Sequence, residues 1–212
     1  MSAKRWGVGL GLIGLLGGAS AFAQRVEPVE PRTQPGDIPS FVVQLNGGLN
    51  TFTGRLGDFS KVGASFGVSA STQAATVTGG PSGRIDVEAG YEGSENAIAD
   101  DFGSGRIWRH NVSALVKGGV PFRVVKPYVG VGIGETYANV TDAAEASGFR
   151  NDWFTEFPLA AGVDFNIGRG IVAGVRGTYR LLLFDEFAEP SPELNNPNGN
   201  LMGATATVGG RF

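Results

Sequence analysis

The sequence has no cysteine and a single histidine among its 212 residues. Disulfides and thiolate metal sites are therefore excluded, and one imidazole leaves little for a nucleophile–base pair. Charge is scarce too, at 17% of residues. A formal net charge of −3 gives no electrostatic case for nucleic-acid binding. Glycine is abundant, at 35 residues, yet it follows no Gly-X-Y period, so a collagen-like helix is excluded. Beyond the first 23 residues, no apolar run is long enough for a membrane-crossing helix. Nothing in the composition implies a cofactor or a metal.

What is present begins with an address. Residues 1–23 read "MSAKRWGVGLGLIGLLGGASAFA". Lys4 and Arg5 supply a positive start, an apolar stretch follows, and Ala21-Phe22-Ala23 forms a small-x-small cleavage site before Gln24. That is the pattern of a secretory signal peptide. An uncleaved anchor is the alternative, but the glycines and the A-x-A ending favour cleavage. Removal takes two cations and moves the formal charge from −3 to −5. Residues 24–39, "QRVEPVEPRTQPGDIP", hold four of the 11 prolines. Proline removes a backbone donor, so this segment is expected to be an extended periplasmic tether with neither helix nor ladder.

From residue 40 to 212, apolar residues recur at every second position, the period of a two-faced strand. Eight such strands are expected. Phe41, Val43, Leu45 and Leu49 oppose Gln44, Asn46 and Asn50 in the first. Ala64, Phe66, Val68 and Ala70 form the apolar face of the second. Ile85, Val87, Ala89 and Tyr91 oppose Asp86, Glu88 and Glu92 in the third, and Val112, Ala114 and Val116 oppose Asn111, Ser113 and Lys117 in the fourth. Val129, Val131 and Ile133 oppose glycines in the fifth. Phe157, Leu159, Ala161, Val163 and Phe165 oppose Glu156, Asp164 and Asn166 in the sixth. Ile171, Ala173, Val175 and Tyr179 oppose Arg176 and Arg180 in the seventh. Met202, Ala204, Ala206, Val208 and Phe212 oppose Thr205, Thr207 and Arg211 in the eighth.

The connections sort by length. Those at 79–83, 121–126 and 168–170 are short, and those at 53–60, 93–106, 138–153 and 184–200 are longer. Short turns on one side and long loops on the other are the habit of outer-membrane barrels. Aromatics sort with them. Phe41, Phe122, Tyr128, Phe165 and Phe212 map to the short-turn end, although strict parity puts Tyr128 on the glycine face. Phe52, Tyr91, Trp108, Tyr137, Trp153, Phe154 and Phe184 map to the long-loop end. Two aromatic girdles are what lipid–water interfaces select. The second face is rich in Gly, Ser, Thr and Asn and poor in charge, whereas a water-facing sheet carries more Lys and Glu. Small polar residues fit the crowded interior of an eight-stranded barrel. The apolar face is therefore expected to meet lipid, with each backbone polar group satisfied by closure of the sheet. A soluble lipocalin-like barrel is the structural rival.

The stretches "RIDVEAGYEGS", "KPYVGVGIGE", "PLAAGVDFNIG" and "TATVGGRF" resemble the small outer-membrane β-barrel family that includes the OmpA-type transmembrane domain and OmpX-like proteins. The resemblance covers nearly the whole chain. It implies a closed, antiparallel, eight-stranded transmembrane β-barrel in the bacterial outer membrane, with outer-membrane lipids and the barrel-assembly machinery as partners. It also implies that Phe212, with Val208 and Gly210, serves as the assembly signal. The peptidoglycan-binding domain that follows an OmpA-type barrel does not follow residue 212, so cell-wall anchoring is not carried over.

Lumen-facing charges are expected at Asp86, Glu88, Glu156 and Asp164 against Arg109, Lys117, Arg176, Arg180 and Arg211. Buried charges must pair. A salt-bridged plug is favoured over a gated ion path, because eight strands leave room for side chains but little for a channel. The carboxylates of the third strand face the arginines of the seventh and eighth across the barrel. Some eight-stranded barrels resemble lipid A deacylases, where a His and a Ser two apart share one surface. His110 and Ser113 are three apart and point to opposite faces. The expected role is structural or surface-interacting rather than enzymatic, with loops at 93–106, 138–153 and 184–200 available to an extracellular partner. A low-conductance pore and a lipid-modifying enzyme are the alternatives.

Overall fold

A computed structural model describes residues 25–28, 41–78, 82–100, 105–141, 150–167, 170–183 and 199–212. The expected signal peptide at 1–23, and most of the loops at 138–153 and 184–200, lie outside the described residues. Nine strands follow in order: β1 (Arg25–Pro28), β2 (Phe41–Phe52), β3 (Gly63–Thr78), β4 (Gly83–Ala97), β5 (Arg106–Gly119), β6 (Val125–Val140), β7 (Asp152–Ile167), β8 (Ile171–Leu183) and β9 (Leu201–Arg211). A four-residue helix, α1 (Arg55–Asp58), sits between β2 and β3.

Strands β2 to β9 form a closed antiparallel barrel in which each strand pairs with its neighbours in sequence. Closure is made by β2 and β9, in register from Val42↔Arg211 to Phe52↔Leu201. The seam extends one step further, because the Phe41 and Phe212 backbones exchange both hydrogen bonds, at 3.1 and 2.9 Å. Among the described residues every barrel strand is paired on both sides, which is the condition for a sheet in a medium without water. One interruption has a direct cause. The β6–β7 register runs to Val131↔Leu159 and resumes at Gly134↔Glu156, and Pro158 lies in the gap with no N–H to donate.

The faces match the alternation. Leu45, Val112, Val129, Val131, Leu159, Val175, Met202 and Val208 are all exposed on the outside of the barrel. The largest fully buried side chains include Arg109, Lys117 and Glu156. A water-soluble barrel has the reverse arrangement, so this polarity suits hydrocarbon outside. Gly93 carries the ring of Phe66, its cross-strand partner, where a Cβ would stand. The glycine gap in the outer belt is thereby covered by an aromatic face.

Four expectations are corrected. Residues 25–28 of the segment at 24–39 do build a ladder, β1 pairing with β3 from Arg25↔Thr78 to Pro28↔Ala75, while the rest of that segment lies outside the described residues. Strand β3 continues past its last β2 partner, Thr72. This overhang offers free amides and carbonyls, and β1 uses them before Pro28, which lacks a donor, ends the pairing. Phe52 and Phe154 do not join the outer girdle. Their positions share parity with the lumen face, and they are buried inside. Tyr128, for the same reason, points inward. Phe41, Phe122, Phe165, Phe212 and Trp153 are exposed on the outside. The strands also run further than the loop boundaries suggested, with β4 reaching Ala97 and β6 reaching Val140.

Candidate functional site

The lumen is the site that the fold constructs, and it is layered. Its charged layers exist because the strand period of two aims every second residue of eight strands at one axis. The lower layers lie toward the short turns, and the upper layers toward the long loops.

At the short-turn mouth is a cavity of about 190 Å³, lined among others by Gln44, Arg84, Lys126, Asp164, Asn166 and Arg211. Arg84 Nε donates to Asp86 at 2.5 Å, and Lys126 Nζ reaches Asp86 at 2.9 Å and Asp164 at 3.3 Å. Arg211 was expected in the buried network. It is instead exposed at the mouth and donates to the Asn166 side-chain carbonyl at 2.6 Å. As the penultimate position of the seam, it lies level with the rim rather than with the mid-barrel carboxylates.

Above it, Glu88 is the centre of the lower ion cluster. Arg176 binds it in bidentate fashion at 2.7 and 2.8 Å from β8, across the barrel, and Lys117 Nζ is at 2.7 Å from the neighbouring strand. The two-fork geometry is the strong form of the guanidinium–carboxylate pair. Tyr128 organises this layer. Its hydroxyl accepts from Arg176 Nε at 2.9 Å, and Lys117 Nζ lies 5.1 Å from its ring centroid, a cation–π distance. The ring needs Gly162 opposite it, since a Cβ there would stand 2.6 Å from the hydroxyl oxygen.

The upper ion cluster is centred on Glu156, which is 0% exposed. It pairs with Arg109 and, at 3.1 Å, with Arg180. Arg180 also binds Glu92 at 2.7 Å, again across the barrel. Asn111 hydrogen-bonds Thr136 at 2.9 Å beside them. Between the two clusters is a cavity of about 30 Å³, lined by Glu88, Arg176 and Arg180, the volume of one water.

At the loop end the lumen turns apolar. Leu56 and Phe59, from α1 and the residue after it, drop into the mouth. They join Phe52, Ile98, Ile107, Ala138, Val140, Phe154, Leu182 and Leu201 in one buried cluster. Gly54, with φ of 63°, makes the turn that starts α1, a backbone region that favours glycine. Ser60 Oγ donates to the Leu56 carbonyl at 3.0 Å and holds the end of the turn.

Of the charged residues named from the sequence, eight meet in these two clusters or on the Lys126 bridge: Asp86, Glu88, Arg109, Lys117, Glu156, Asp164, Arg176 and Arg180. Sequence reasoning missed Arg84, Lys126 and Tyr128 as members of the charged layers, and left Glu92 out of the network. It also missed the apolar cluster. The signal was parity: Phe52, Ile107, Phe154, Leu182 and Leu201 all fall on lumen-facing positions.

The seam residues sit outside. Val208 is exposed between Leu45 and Ala173, and Gly210 pairs with Val43 and Ile171. Phe212 is exposed and stacks on Phe41 with ring centroids 5.4 Å apart. A Cβ on Gly210 would lie 3.3 Å from the Phe212 ring, so glycine leaves that ring room to lie along the wall. His110 is exposed on the outer face, its Nδ1 2.7 Å from the Tyr91 hydroxyl, while Ser113 lines the inner cavity. No cluster of three or more metal-ligating side chains occurs among the described residues.

No protein-family model matches the chain, and no curated protein resembles it in sequence. Among solved structures, it is similar to Ail, the attachment invasion locus protein of Yersinia pestis, in complex with the heparin analogue sucrose octasulfate. The TM-score is 0.52 at 12% identity, covering 82% of this chain and 99% of that one. Neisserial surface protein A matches at TM-score 0.49 and 15% identity, over 81% of this chain and 97% of that one. The outer-membrane enzyme PagL matches at 0.46 and 15%, over 78% and 97%. At such identity the likeness to Ail concerns the fold alone. This chain has the fold of the small outer-membrane eight-stranded β-barrels.

Proposed function

We propose that the protein is an exported barrel of the bacterial outer membrane with a structural or surface-interaction role, closed to solutes and without enzymatic activity. One observation carries this reading: the lumen is sealed twice. Paired charges fill its middle, and an apolar cluster closes its loop end. An ion would have to displace charge-assisted bonds and then cross a dry layer, where burying an unpaired charge is costly. The exposed apolar belt supports residence in lipid, where the closed ladder satisfies every barrel strand. Outer-membrane lipids and the barrel-assembly machinery are the partners this location implies.

The three long loops suit contact with the outside. At 93–106, 138–153 and 184–200 they hold ten acidic residues against Arg106 and Arg150. That balance favours a cationic extracellular partner over a sulfated glycan such as the one bound to Ail. The separation of His110 and Ser113 onto opposite faces supports a non-enzymatic reading.

Planar-bilayer recording tests the seal. The folded barrel is expected to be silent. Steps of conductance that change in Arg176→Ala or Glu88→Ala would instead establish a small pore. Lipid A recovered with and without the protein is expected to be identical, and a changed acyl pattern would establish an enzyme. Heat-modifiable migration in detergent is expected, whereas extraction by salt alone would establish a soluble barrel.

A further inference from the structure

The lower half of the lumen is not charge-neutral. Among the described residues, the short-turn cavity and the Glu88 cluster together hold five cations, Arg84, Lys117, Lys126, Arg176 and Arg211, against three carboxylates, Asp86, Glu88 and Asp164. The upper cluster balances, with two arginines on two glutamates. The excess positive charge is therefore local to the lower half: one charge of it belongs to the Glu88 layer, and one lies where the lumen opens, with Arg84, Lys126 and Arg211 against Asp86 and Asp164. The carboxylates there are already engaged. Asp86 is held by Arg84 and Lys126, and Asp164 by Lys126. The Arg211 guanidinium has only the neutral Asn166 amide as a hydrogen-bonding partner among the described residues. A guanidinium has five N–H donors in a fixed fork, so most of its capacity is unused.

We propose that this vestibule is a binding site for a small oxyanion of phosphate size, entering from the short-turn side and held chiefly by Arg211 with Lys126 and Arg84. The cavity, at about 190 Å³, has the volume of roughly six waters, enough for one tetrahedral anion with part of its hydration. Low-dielectric walls and net positive charge focus the field on an anion at the mouth. The sealed upper lumen makes the vestibule blind, so the anion binds and leaves by the same side. The shared chemistry would also admit the phosphate of a lipid headgroup, but the small volume favours the free ion.

Inorganic phosphate is the probe, titrated into the mature barrel in detergent micelles at low chloride and followed by 31P line broadening. Saturable binding at one site is expected, weakened at least tenfold in Arg211→Gln and unchanged in Arg106→Gln, which removes a cation from the outer face. Heat-modifiable migration checks that both variants are folded. Phosphate that fails to saturate, or binds Arg211→Gln as well as the parent, overturns the site. Glycerol phosphate that binds more tightly than the inorganic ion overturns the free-ion reading and points to headgroups. Binding seen only after deletion of residues 24–34 overturns it in favour of the acidic groups of that segment.

Discussion

Replacing Glu156 with glutamine keeps the side chain's shape and removes one charge from the most enclosed point of the lumen. Glu156 is 0% exposed, and the guanidinium of Arg109 beside it is 1% exposed. Arg180 has other partners in Glu92 and Asn111. Arg109 has only the Ser94 hydroxyl at 3.1 Å besides Glu156, and its Nε has no partner among the described residues. The loss therefore falls on one buried cation that cannot reach water. Removing one member of a buried pair costs about 3–5 kcal/mol. The exposed pair of Glu95 and Arg106, 2.6 Å apart on the outer face, provides the contrast, and Glu95→Gln is expected to cost at most about 1 kcal/mol. Urea titration of folding in lipid vesicles, read by tryptophan fluorescence, measures both. A second change, Arg109→Met in the Glu156→Gln background, removes the stranded charge and is expected to recover at least half of the lost stability. Equal midpoints for Glu156→Gln and Glu95→Gln would refute the reasoning, and so would a double variant no more stable than Glu156→Gln alone.

Three other perturbations probe the remaining layers. Val131, exposed in mid-strand on the outer belt, is expected to cost about 2–4 kcal/mol when changed to Arg if it faces the bilayer midplane; a neutral result in the same vesicle assay would mean the belt faces water. Leu56→Ala empties part of the loop-end cluster and is expected to cost about 2–5 kcal/mol in the same titration, with bilayer recordings still silent because the ion clusters below are intact. Deletion of Phe212 is expected to lower the fraction of chain recovered in the outer membrane more than deletion of residues 24–34 does, and equal recovery would leave Phe212 only its stacking on Phe41.

The barrel was legible in the alternation alone. Apolar residues at every second position, and short and long connections in turn, specify strands with two faces, because side chains alternate along a strand whatever it pairs with. The same parity put Glu88, Arg176, Glu156 and Arg180 on one face. It did not say which would meet, because partners across a barrel depend on how strand stagger and tilt bring different heights level. It is the closed barrel that lets Arg176 grip Glu88 while Arg180 bridges Glu92 and Glu156. Phe52 and Phe154 were misread by their place near the loops, where aromatics suit both a lipid interface and a buried lid, and the descent of Leu56 and Phe59 into the mouth made them a lid. The tether became partly a strand because β3 outlasts β2, a difference in length that exists only once the two are in register. Local pattern fixes which way a side chain points; what it touches is set by the closure of the sheet.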